Sequence, residues 1–67
     1  MSRILAQATV EMLEGGPVPV WEVQVFGRVE GDGGMMHRTY TISAKTDDNA
    51  AQEGIRRFED EMEKLLS

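Results

Sequence analysis

Few residues in this chain could do chemistry. His37 is its one histidine, cysteine is absent, and the other candidates are twelve carboxylates and scattered serines and threonines. His37 sits near the end of a glycine-rich stretch, "VEGDGGMMHR", from Val29 to Arg38. A phosphate loop needs a Gly-Lys-Ser/Thr ending and a following helix to present its amides, and the stretch has neither. An EF-hand needs alternating oxygen ligands closed by a glutamate, which Glu30 and Asp32 do not supply. Zinc needs further thiol or imidazole ligands. The stretch therefore reads as a turn, and His37 as an exposed histidine beside Arg28 across a hairpin.

Nucleophilic catalysis has no better footing. Ser43 shares a strand face with His37 but lies six residues away, about 20 Å along an extended strand. The acids of "FEDEMEK" read as the solvated face of a helix. No catalytic residue, metal site or cofactor is expected, and the chain by itself is not expected to be an enzyme.

Twelve acids against seven bases give a formal charge of −5. That balance opposes binding to a phosphate backbone, which depends on lysines and arginines displacing counterions. Arg28, His37, Arg38 and Lys45 lie mid-chain, so weak nucleic-acid binding through a local basic sheet face is the alternative reading. The lack of cysteine fits a reducing compartment. No apolar run approaches the roughly 18 residues of a spanning helix. Gln7 and Glu11 interrupt "MSRILAQATVEML" as a signal peptide, so a cytoplasmic protein away from membranes is expected. Sixty-seven residues make one domain, 1–67, near the lower limit for an independent core. Without disulfides or metal, a partner is one remaining source of stability.

Three elements would position these residues. The segment "DDNAAQEGIRRFEDEMEKLLS" carries Ala51, Ile55, Phe58, Met62 and Leu65 on one helical stripe. Thr46, Asp47 and Asp48 offer N-caps, and Glu53 with Arg57 forms an acid-first pair at i,i+4. Gly54 lies inside this helix, where glycine costs about 1 kcal/mol relative to alanine. Close approach to a bulky neighbour, with Trp21 the obvious one, would explain it.

Two alternating runs, "VWEVQVFGRV" and "HRTYTISAK", read as strands. Asp32-Gly33 is a dipeptide that two-residue hairpin turns favour. Centring the turn there sets Val29 opposite Met36, Gly27 opposite Arg38, Val25 opposite Tyr40, Val23 opposite Ile42 and Trp21 opposite Ala44. A one-residue shift would send one apolar set to the wrong side. Residues 3 to 13 fit either a strand or a helix. As a strand they line Ile4, Ala6, Ala8, Val10 and Met12 on one face, with Met12 beside Trp21 and Val10 beside Val23. The strand is preferred because three strands offer a helix a wider base than two. The expected fold is α+β: a small antiparallel meander of two or three strands with one C-terminal helix across one face.

One helix leaves the other sheet face without obvious cover. It carries Val20, Glu22, Gln24, Phe26 and Arg28, set by this register opposite Lys45, Ser43, Thr41, Thr39 and His37. A single surface phenylalanine is common. An aromatic flanked by threonines can equally be the centre of a contact, most simply with a second copy. The candidate interaction residues are Val20, Phe26, Arg28, His37, Thr39 and Thr41. The function expected is a non-enzymatic protein–protein interaction module, whose partner is a second copy forming a homodimer or another protein.

"YTISAKTDDNAAQEGIRRF" resembles short uncharacterised bacterial proteins that join an alternating strand to a helix through Ala-Lys-Ser/Thr-Asp and an Ala-Ala-x-Glu-Gly-Ile-Arg-Arg-Phe run. The likeness covers about a third of the chain and implies no function. A looser similarity is to double-stranded RNA-binding domains, which also end sheet-then-helix with an Ala-Ala pair. Their basic helix start is replaced here by Thr46-Asp47-Asp48, which argues against RNA.

Overall fold

A computed structural model of the protein describes residues 4–29 and 34–66. Strands β1 (Ile4–Glu14), β2 (Val20–Val29) and β3 (Met35–Ser43) form an antiparallel meander in the order β1-β2-β3. Helix α1 (Asp47–Leu66) packs across one face.

The first segment is a strand despite its alanines, leucine and glutamates. From Ile4 to Val10 its even-numbered residues are half-buried and its odd-numbered ones exposed. Ile4, Ala6, Ala8 and Val10 thereby join the packing beneath the helix. Tertiary burial decides here over helix propensity, which is the weaker preference. The register is the expected one, with Val10 opposite Val23 and Met12 opposite Trp21. It shifts between Met12 and Glu14, as the strand runs into a turn where Gly16 takes φ +134°. Side-chain-bearing residues seldom adopt that conformation.

The second hairpin differs from expectation by two residues. Trp21 pairs with Ile42, Val23 with Tyr40, Val25 with Arg38 and Gly27 with Met36. A two-residue slip keeps every side chain on its own face, so the apolar alternation is blind to it. The Asp32-Gly33 turn lies outside the described residues. Ala44 falls beyond the last paired row, and its backbone there has two other partners. Its carbonyl accepts the Trp21 indole Nε1–H at 2.8 Å, and its amide donates to the Pro19 carbonyl at 3.1 Å. These bonds tie the end of β3 to the start of β2. Trp21→Phe removes one of them together with part of the indole that packs against the core. In a urea titration it should therefore cost more than the hydrogen bond alone, which is worth about 0.5–1.5 kcal/mol. A midpoint equal to wild type would mean that neither the bond nor the packing contributes.

Helix α1 begins where Thr46 caps it. Thr46 Oγ1 accepts from the Asn49 amide at 3.1 Å, and the Thr46 carbonyl receives the first helical bond from Ala50 at 3.1 Å. Asp47 and Asp48 occupy the first turn, where negative charge suits the helix dipole. The buried stripe is not the one expected. Ala50, Gly54, Phe58 and Met62 are buried, Ala51 and Ile55 flank them, and Leu65 is 66 % exposed. The contact is an i,i+4 row that passes through the glycine, which a count of apolar letters skips.

Gly54 does admit a close neighbour, but the neighbour is Val23 and not Trp21. A Cβ on Gly54 would lie 2.5 Å from Val23 Cγ1 and 3.2 Å from Val23 Cβ. Gly27 does the same from the sheet: a Cβ there would lie 2.5 Å from Phe58 Cε1 and 2.8 Å from the Leu5 carbonyl oxygen. Each layer thus yields a side chain to the other. Val23, Val25, Ile42, Ala50, Phe58 and Met62 form the buried core between them.

Candidate functional site

The sheet face turned away from α1 is organised in rows across the three strands. Leu5, Arg28 and Met35 make one row, followed by Gln7, Phe26 and His37. Thr9, Gln24 and Thr39 make the third, and Glu11, Glu22 and Thr41 the fourth. Val20, opposite Ser43 and Glu14, closes the face.

The two-residue register difference creates the main feature of this face. His37 does not sit opposite Arg28; it sits opposite Phe26 and stacks on it, with ring centroids 4.5 Å apart and planes 11° from parallel. Thr39 and Thr41 lie opposite Gln24 and Glu22, and Arg28 lies opposite Met35. Val20 shares the face with Phe26 but lies six residues up the strand, so it does not join the aromatic pair. Lys45 follows Ser43, at the opposite end of the sheet from Arg28.

Leu5 and Met35 belong to the site although the sequence did not single them out. Leu5 is 37 % exposed and Met35 72 % exposed. With Gln7, Phe26 and Arg28 they line a shallow depression of about 250 Å³. Leu5 becomes an outer-face residue once residues 4–14 are a strand, and Met35 is placed beside Arg28 only by the observed register. At the other end, Glu11 and Glu22 are direct cross-strand neighbours. Glu22 Oε1 accepts a hydrogen bond from Gln24 Nε2 at 3.0 Å. Like charges directly opposite on a sheet are destabilising.

Arg38 does not belong to this face. It lies on the helix side, where its Nε reaches Glu61 Oε2 at 3.1 Å and its Nη1 donates to the His37 carbonyl at 2.9 Å. Tyr40 is on the same side, with its hydroxyl buried near Glu61. Burial foremost, then the negative charge of Glu61, raises the Tyr40 pKa above the ordinary phenol value, so near neutrality the group is an uncharged phenol and not a base. Glu61 opposes that ionisation while its carboxylate is engaged by Arg38.

On α1, Glu53 bonds Arg56 at 2.8 Å and Arg57 at 3.4 Å. The Arg56 hydrogen bond is the main cause of a lowered Glu53 pKa. Among the described residues no three of His, Cys, Asp and Glu come together as a metal site. No helix among them is long and apolar enough to cross a membrane. Comparison with family models, curated proteins and solved structures finds no match. What this face offers chemically is a stacked aromatic pair with apolar neighbours, framed by opposite charges at its two ends.

Proposed function

We propose that this protein is a non-enzymatic interaction module that works through the outer sheet face and associates with a second copy of itself. The observation that carries this reading is the Phe26–His37 stack, left uncovered by α1 and bordered by the exposed Leu5 and Met35. Aromatic residues at the centre of a contact tend to dominate its binding energy, and rim charges contribute little. Three strands spaced about 4.8 Å apart and some nine residues long give a footprint of roughly 400 Å² per copy. That is small, so the association belongs to the weak, transient class.

Phe26→Ser should therefore shift the protein toward monomer without unfolding it, because the core on the other face is untouched. Arg28→Ala should do less. Light scattering over a dilution series reads the mass, with circular dichroism as the control for folding. Wild-type protein that stays monomeric at high micromolar concentration overturns self-association.

A second reading, weak nucleic-acid binding, rests on Arg28 and His37 sharing the outer face. The formal charge of −5 and the engagement of Arg38 by Glu61 on the other side speak against it. A DNA or RNA complex that forms at low salt and vanishes at physiological salt would favour it.

A further inference from the structure

Resting on that reading of the outer face as a self-contact, we infer that the two copies meet with their β2 strands antiparallel, about a two-fold axis running across the strands between the Gln24 and Phe26 rows. The outer residues of β2 read acid, amide, aromatic, base: Glu22, Gln24, Phe26, Arg28. Glu11 reinforces the acidic end, as the direct neighbour of Glu22. Among the described residues, none of Glu11, Glu22 and Arg28 makes an ion pair within the chain. Among the described residues, the face is therefore a dipole with no ion pair at either pole.

Two sheets meeting face to face about a two-fold axis can place that axis along the strands or across them. With the axis along the strands, each row meets its own copy. Glu22 then meets Glu22 of the second copy, and Arg28 meets Arg28. With the axis across the strands, the order of rows inverts. Centred between Gln24 and Phe26, the axis sets Arg28 against Glu22 of the second copy, with Glu11 alongside, and symmetry makes the contact twice. Both Phe26 rings then stand next to the axis, in the middle of the contact. Like charges brought together across an interface are costly and opposite charges fix its register, so the axis lies across the strands.

Charge reversal tests this. Arg28→Glu and Glu22→Arg are made singly and together on one chain. Dimerisation is followed by sedimentation equilibrium, with folding checked by circular dichroism. Each single reversal should weaken dimerisation about tenfold, because it creates two repulsive pairs at once. The double reversal should restore it close to wild type, and about 1 M salt should level the differences. Arg28→Gln, which should weaken dimerisation about threefold, replaces Arg28→Glu if that variant loses structure. Singles that associate like wild type overturn the orientation, since an axis along the strands only exchanges one like pair for another. Singles that weaken without recovery in the double overturn it too. Phe26→Ser separates the two levels. If it abolishes dimerisation while the reversals have no effect, the orientation alone fails. If wild type is monomeric, or Phe26→Ser leaves the mass unchanged, the self-contact through this face fails and the orientation with it.

Discussion

Phe58→Ala should leave the protein largely unfolded at 25 °C. Phe58 is fully buried in the middle of the helix row that meets the sheet, with its ring edge against Gly27 of β2. Removing a buried phenylalanine typically costs about 3–5 kcal/mol, from lost transfer energy and the cavity left behind. The cavity could not close cheaply, because Gly27 has no side chain to move into it. A core in a chain this small rarely supplies more than about 3–5 kcal/mol in all. Thermal and urea melts followed by circular dichroism would read the result. A cooperative transition close to wild type would remove Phe58 from the core.

Gly54→Ala should destabilise the protein, reversing the usual sign for this substitution in a helix. At an exposed helical position alanine gains about 1 kcal/mol over glycine. Here the new Cβ would stand 2.5 Å from Val23 Cγ1. Val23 cannot turn aside easily. Its β-branched side chain has few χ1 choices, and its own Cβ would be 3.2 Å away. The helix must lift from β2 instead, and overpacking of this kind costs about 1–3 kcal/mol. The expected net loss lowers the melting temperature by several degrees, at about 4–8 °C per kcal/mol. A double-mutant cycle identifies the cause. In a Val23→Ala background the same Gly54→Ala change should cost clearly less, because the Cγ1 clash is gone and only the 3.2 Å approach to the Cβ remains. An undiminished loss in that background would place the conflict elsewhere.

The fold was legible because two signals agreed with each other. Residues 3 to 13 fitted a strand or a helix, but as a strand their alternation from Ile4 to Met12 matched the inner face of β2, and the pairing with Val23 and Trp21 followed from that match. The helix announced itself through its apolar spacing and its cap at Thr46. Two things were hidden, each for a physical reason. Glycine carries no hydropathy signal, so the true contact row through Ala50, Gly54, Phe58 and Met62 was read one residue off at its first two positions, as Ala51 and Ile55, and extended too far at Leu65. The register of β2 on β3 was hidden because a slip of two changes no residue's face. That slip mattered most at the candidate site. Phe26 and His37 were both candidates, but a linear pattern could not show that they stack, nor that Arg28 stands next to Met35. Arg38 looked like a third cation for the same surface until the helix supplied Glu61.

The last element of this chain docks most heavily on the first: α1 packs more extensively on β1 than on either other strand. That arrangement makes the sheet depend on the helix for its cover. Without α1 the strands can pair, but Val23, Val25 and Ile42 face water, because the residues that cover them are in the helix. The open apolar face is then backed by an edge strand whose stretch from Ile4 to Val10 is uncharged. Such surfaces recruit other chains. A product cut after Ser43 should therefore yield aggregate and not a smaller folded protein.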